Sequence, residues 1–396
     1  MNQRFYSLDV FRGATVALMI LVNNPGSWAH IYSPLDHAPW HGCTPTDMVF
    51  PFFLFAVGNA LAFVMPRLEL GGPSLFWRKI LKRSILIFFI GLMLNWFPFV
   101  KWDHDHIVFK RWAYTGDDGN PAGVRILGVL QRIALAYLFA AIIIFLFKTR
   151  GAFVACVVLL FGYWFLCVAG NPSDPYTLNG WFGTNVDKAL LGEGHMYHGE
   201  SVNGKPIAFD PEGFMSLFAA IVQVIFGYFT GDYINKKGKT HEMINGLFVA
   251  GCVLIFTGFC WDMVFPINKK IWTSSYTVYT SGLAMLVLAV LMYIIEFKNW
   301  RGWWSRFFDV FGKNPLFIFV LSGTLPRFQA MIRIENGLTP DGKPKYITPF
   351  AWFYENICKP VSSNLDNGSL LYALCMIIVY WYIAYLMDKK KIYIKV

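Results

Sequence analysis

His30, His37 and His41 fall within NNPGSWAHIYSPLDHAPWHG, residues 23 to 42, a polar stretch between two long apolar runs. Imidazole is the side chain whose ordinary titration lies nearest neutrality, so these residues raise acid–base chemistry first. Asn23 opens the stretch with an amide donor at the mouth. Asp47, just past its end, carries a carboxylate that can orient an imidazole. The same residues also have purely structural readings. Asn-Pro at 24–25 can end a helix, and Asp47 can cap the next one. A zinc site built from the histidines and Cys43 is not expected, because the spacing matches no paired-ligand pattern. No G-x-S-x-G element and no ordered Ser/His/Asp set is present.

A second group is harder to explain structurally. Arg125 and Arg132 stand two helical turns apart in RILGVLQRIALAY, with Gln131 beside the second. On one face of a membrane helix they require a wet cavity or an anion. DPEG at 210–213 places Asp210 and Glu212 at the head of another apolar run, either as an acidic first turn or as a holder for a cationic amine. Asp9 and Arg12 are spaced as a helix-end ion pair, or as part of an inner-face ligand site.

The elements that must position these groups are membrane helices. The chain is 56% hydrophobic and only 15% charged, against about 25% charged in soluble domains. Segments 8–24, 47–65, 79–97, 124–147, 151–169, 213–231, 243–261, 273–296, 312–331 and 368–387 are each long and apolar enough to span a bilayer. The expected fold is therefore all-α: a polytopic membrane protein of about ten transmembrane helices, forming one domain over 1–396. The first segment has no A-x-A-like site after it, so it is expected to be retained. The net charge of +10 forms no continuous stripe, which argues against nucleic acid. Lys and Arg gather instead in short segments on alternate sides, among them Arg4, Arg67, Arg78, Lys148, Lys236 and Lys395. Asp103, Asp105, Asp117 and Asp118 share one opposite loop. By the positive-inside rule both termini are cytoplasmic, and the sizeable loops 98–123, 170–212 and 332–367 are extracytoplasmic. His37 then faces outward. Seven cysteines, most of them within apolar runs, suggest no disulfide framework.

SLDVFRG, MILVNN, HAPWHG and TDMVFPFFLFAVG, followed by RILGVLQRIALAY, DPEGFMS, PINKKIWTSSY and GKNPLFIFVL, occur in an order that resembles the heparan-α-glucosaminide N-acetyltransferase family. The resemblance implies acetyl-CoA as cytosolic donor and an amino sugar or glycan end outside as acceptor, in the plasma (inner) membrane, within a homodimer. It carries the active histidine onto His37 and its supporting asparagine onto Asn23. Either His37 acts as base toward the amine or it is itself acetylated first. Asp47, Arg125, Gln131, Arg132, Asp210, Glu212, Trp40 and Trp272 become candidates for holding the acceptor, the tryptophans by stacking on a sugar face. Arg12, Lys79, Lys82, Arg83, Lys313 and Asn314 become candidates for the CoA phosphates. No metal is implied. Family members from mammals carry an N-terminal extension and a further span that are not matched here, so lysosomal targeting is not implied. The rival expectation is a sugar or envelope-glycan transporter that uses the same polar cavity without acyl transfer.

Overall fold

The long apolar runs fold as helices in the computed structural model, which describes residues 5–103, 106–116, 119–202, 204–338 and 344–394. Arg4, Asp105, Asp117, Asp118 and Lys395 lie outside the described residues. In chain order the helices are α1 Tyr6–Asn23, α2 Val49–Leu70, α3 Gly72–Trp96, α4 Val129–Gly170, α5 Gly183–Leu191, α6 Leu217–Lys237, α7 His241–Asp262, α8 Ser274–Met292, α9 Trp303–Lys313, α10 Pro315–Gln329, α11 Pro349–Phe353 and α12 Leu365–Lys389. Among the described residues, seven helices meet the length and hydropathy of a membrane span: α1, α2, α4, α6, α7, α8 and α12. Each of the expected segments is largely helical. Two of them are the limbs of the 42-residue α4, which breaks at Lys148 (φ 56°). Two others correspond to α3, with 25 residues, and α10, with 15.

The three long loops are not helical throughout. They carry small antiparallel hairpins: Val100–Asp103 with His106–Phe109, Ala113–Thr115 with Pro121–Gly123, Glu200–Val202 with Lys205–Ile207, and Ile334–Leu338 with Pro344–Ile347. Backbone groups in a loop outside a helix still need partners, and a hairpin supplies them locally.

In lipid there is little hydrophobic drive between helices, so close packing of small residues holds them together. The crossing of α2 and α6 shows this: a Cβ at Gly58 would stand 1.8 Å from the Val224 carbonyl, and one at Gly227 2.0 Å from the Phe55 carbonyl. Around that crossing one core takes in Leu54, Leu61, Val224, Ile225 and Tyr276, and a second joins α1, α9, α10 and α12 through Val16, Ile20, Phe311 and Tyr380. This packing fixes the ends of α1, α2, α4, α6 and α8 relative to one another. The polar residues of the site sit on the short connections at those ends.

Candidate functional site

Asp47 lies in the tight turn Pro45–Met48 that opens α2. Thr44 precedes this turn as its cap, with Pro45 at the first helical position. That placement makes the N-cap reading partly right, because Oδ2 accepts the Thr44 N–H at 3.1 Å and the Thr44 hydroxyl at 3.1 Å. It also accepts the Ala38 N–H at 3.0 Å, which ties the histidine loop down onto the helix start. Oδ1 faces His37 Nδ1 at 2.7 Å and Lys269 Nζ at 3.3 Å. The Asp47 carbonyl accepts from the Tyr276 hydroxyl at 2.5 Å. The carboxylate is 1% exposed while the imidazole is 40% exposed. A buried carboxylate surrounded by donors is held as an acceptor, and this network assigns the His37 proton to Nδ1. Nε2 is then left unprotonated on a ring that stays partly exposed. Lys269 Nζ also stands 3.1 Å from His37 Nδ1, so the ammonium flanks both members. Burial lowers the Lys269 ammonium pKa, against the pull of Asp47 and Glu212.

His30 and His41 take other places. His41 Nδ1 is 3.4 Å from the Asn268 amide, and burial lowers its pKa. His30 lies 3.9 Å from Asp366, on the opposite flank of the loop. Cys43 is pushed up to about 12, first by burial and then by Asp47, so it stays a neutral thiol. Among the described residues no cluster of His, Cys, Asp and Glu is arranged to hold a metal ion.

The second group converges nearby, with one correction. Arg125 is not on a helix face with Arg132. Gly128 is fully extended and α4 starts at Val129, because the Asn95 side chain donates to the Arg125 and Leu127 carbonyls, at 3.0 and 3.3 Å. Arg125 is thereby free to fork onto Asp210, at 3.0 and 2.6 Å, and to reach Glu212. Its guanidinium also stacks over Tyr197, at 4.8 Å. Burial alone would lower the guanidinium pKa, but Glu212 and Asp210 hold it above its usual range. Glu212 in turn is lowered by Arg125 and Arg132 despite its own burial. Arg132 is buried inside α4. It donates to the Gly213 carbonyl at 3.0 Å and to Ser216, and lies 5.2 Å from the Trp272 ring. Its Nε and Nη1 find no partner among the described residues. The expected Trp272 face is therefore covered: that ring is 1% exposed, between Arg132, Phe50 and Tyr276. Trp40 stays half-buried, anchored by Nε1 to the Tyr176 carbonyl at 2.8 Å with Lys270 over its ring.

Asn23 ends α1 on a separate wall. With Asn95, Arg125, Gln131 and Arg327 it lines a cleft of about 370 Å³, and no hydrogen bond joins it to His37 among the described residues. Arg125 stands between the two centres, since it lines the cleft and pairs with Glu212. Of the other cation candidates, Lys79 and Lys82 are exposed on α3, and Arg83 lies over the Tyr137 ring with Nε buried and unpartnered among the described residues. Lys313 is taken up by Asp309 at 2.8 Å and Asp388 at 3.0 Å. Both ends of the Asn314 amide bind the C-terminal segment, at Ile392 and Ile394. Arg12 pairs with Asp9 at 2.7 Å and the Gly312 carbonyl at 2.7 Å.

Three residues the sequence reading passed over belong to the site. Lys269 and Asn268 come from PINKKIWTSSY, a motif whose two lysines at the mouth of a span were a visible signal. Asp187, on α5, gave none. It accepts the Phe214 N–H at 2.8 Å with Oδ1, leaves Oδ2 buried without a partner among the described residues, and is pushed up to about 7 by burial.

The catalytic region of heparan-alpha-glucosaminide N-acetyltransferase, as a family, is matched over residues 4–189. The curated protein of that name from Homo sapiens is 27% identical over 372 residues, covering 80% of this chain and 52% of the human one. The Mus musculus protein is 25% identical over 448 residues, covering 99% of this chain and 60% of the mouse one. The chain thus spans little more than half the length of the curated relatives it matches.

Proposed function

We propose that this chain, related as it is to the heparan-α-glucosaminide N-acetyltransferase family, is a membrane acetyltransferase that moves an acetyl group from cytosolic acetyl-CoA to the amine of an amino sugar or glycan end on the extracytoplasmic side. The observation that carries the reading is the buried Asp47 carboxylate on His37 Nδ1. In this reading the chain is one domain of about ten spans with both termini cytoplasmic, set in the inner membrane as a homodimer.

Asp47 fixes the tautomer, so Nε2 takes the proton that the acceptor nitrogen sheds as it bonds to the acyl carbon. Asn23 contributes an amide donor for charge on the carbonyl oxygen. Asp210 and Glu212 hold Arg125 at the wall between the cleft and the histidine. Acetyl-CoA supplies the acetyl group as a thioester, whose thiol is the leaving group. For its phosphates the chain offers Lys79, Lys82 and Arg83, whose charges meet no carboxylate among the described residues, and the unpartnered Arg83 Nε fits an anion. Lys313, Asn314 and Arg12 are engaged within the chain and hold its inner end together.

A carrier that used the cleft without chemistry would have no need of a carboxylate locked to an imidazole. The test is purified protein with acetyl-labelled acetyl-CoA and glucosamine, beside His37→Ala. Label on the sugar should fall in the variant by about 10²–10⁴-fold. Donor binding without transfer to any amino sugar would refute the acceptor class, and absence of donor binding would favour the transporter.

A further inference from the structure

Between α3 and α10 the outer surface carries an apolar groove of about 310 Å³, walled by Leu86, Phe89, Met93, Phe97 and Val320. Phe89 is 54% exposed, as expected of a face that meets lipid. The groove adjoins a polar cleft. Leu94 forms a wall both of it and of the polar cleft that holds Asn23, Asn95 and Gln131. The two compartments meet where Leu94 packs on Gly323, whose Cβ, if present, would stand 3.1 Å from the leucine Cδ1. Over this seam sits Arg327, donating Nη1 to the Leu94 carbonyl and facing no carboxylate among the described residues. Lys110 joins it from the loop, with Nζ 3.4 Å from the carbonyl of Phe97, and carries no carboxylate partner among the described residues either. The two cations are close enough that Arg327, after burial, helps to lower the Lys110 pKa. A cation pair that meets no carboxylate among the described residues, where an apolar groove opens into a polar cleft, is complementary to a phosphate with a hydrocarbon chain on one side and a polar group on the other.

The cleft on the polar side is built to accept. The Asn95 amide nitrogen is spent on the Arg125 and Leu127 carbonyls, and that of Gln131 on the Ile126 carbonyl at 2.9 Å. Both amides border the space left open by Gly128, whose Cβ would meet Asn95 Nδ2 and Gln131 Oε1 at 3.2 Å and Asn95 Oδ1 at 3.5 Å, and their oxygens are left as the groups able to accept. Acceptors with fixed orientation suit the hydroxyls of one sugar ring.

We propose that the acceptor is a lipid-linked amino sugar: its hydrocarbon chain lies in the α3–α10 groove, its phosphate at Arg327 and Lys110, and its sugar in the Asn23–Asn95–Gln131 cleft. This deepens the acetyltransferase reading and rests on its assignment of the outer face.

The test is binding without acetyl-CoA, by native mass spectrometry of the full chain in detergent. The probes are glucosamine linked through phosphate to farnesol, the same conjugate without the phosphate, and water-soluble glucosamine 1-phosphate. The first should bind at least about tenfold tighter than either of the others. Arg327→Ala and Lys110→Ala should each remove the preference over the phosphate-free conjugate; Lys110→Ala matters because Arg327 also holds a backbone carbonyl. Val320→Trp, which fills the groove, should remove the preference over glucosamine 1-phosphate. Equal binding of the three probes would overturn the proposal. So would equal binding of the two farnesyl conjugates, which is what unselective annular lipid gives. Disulfide crosslinking between copies through Phe89→Cys in native membranes would overturn it too, since a second copy would then fill the groove. Retained lipid-linked binding without acetyl transfer would count against the enzyme reading alone. Transfer to free glucosamine without preference for the lipid-linked probe would count against this proposal alone.

Discussion

The imidazole of His37 and the carboxylate of Asp47 meet at 2.7 Å because one loop is pinned to the first turn of α2: Asp47 accepts the Ala38 N–H as well as the ring N–H. The carboxylate thus orients the ring and the loop that carries it. Asp47→Asn should lower turnover on the order of 10²–10³-fold, because an amide can stabilise the wrong tautomer. The acceptor's KM should change little. A steady-state comparison with His37→Ala checks this, and equal KM with intact turnover in Asp47→Asn would remove the dyad from the mechanism.

Lys269 flanks the same pair, at 3.1 Å from the ring and 3.3 Å from the carboxylate. Its charge compensates the buried Asp47 carboxylate beside the ring. Lys269→Met should lower both turnover and melting temperature, while Lys269→Arg, which keeps the charge, should preserve most of both. Unchanged turnover and melting temperature in Lys269→Met would show that the lysine is not needed to hold the pair.

Asp187 carries a pH signature of its own. Burial lifts its carboxyl from an ordinary 3.8 to about 7 in the folded protein. The folded state therefore binds this proton more tightly than the unfolded one. The stability it contributes is full below pH 4 and is lost as pH rises through about 7. Asp187→Asn keeps the acceptor for the Phe214 N–H and cannot ionise, so its melting temperature should exceed that of the parent at pH 8 and approach it at pH 5. Thermal melts in detergent across this range decide it.

Arg125 is the counter-ion of two buried carboxylates, one of them fully enclosed. Arg125→Met should cost about 3–5 kcal/mol by leaving Asp210 and Glu212 uncompensated. Adding Asp210→Asn and Glu212→Gln to that variant should restore much of the loss. The melting temperatures of the single and triple variants provide the readout, and no recovery in the triple would mean that packing on Tyr197 mattered more than charge.

The α2–α6 crossing should be equally intolerant. Gly58→Ala puts a methyl where 1.8 Å separates it from the Val224 carbonyl, so the helices must part. A loss of about 1–3 kcal/mol is expected, against little change for Gly162→Ala, which has open space. Equal melting temperatures would show that the crossing relaxes easily.

Much of the architecture was legible in the chain because a membrane helix announces itself: it must be long, apolar and nearly free of charge to pay for leaving water. The break in α4 at Lys148 fell where a basic pair interrupts two apolar runs. His37, Asn23 and Asp47 were visible as polar residues at the ends of such runs. What the sequence could not specify was which of these ends meet. That depends on how glycine-lined helices cross, and it brings Lys269 from beyond α7 to a residue near the N-terminus. The pairing of Arg125 was equally hidden. Periodicity placed it on a helix face with Arg132, but the side chain of Asn95, thirty residues away, takes the carbonyls that a helical turn would have used. Asp187 gave no signal, because its altered acidity comes first from burial and then from the charge of Asp210, both set by the tertiary fold. Local pattern determined where polar groups leave the membrane, and tertiary packing alone decided which of them lie within hydrogen-bonding distance.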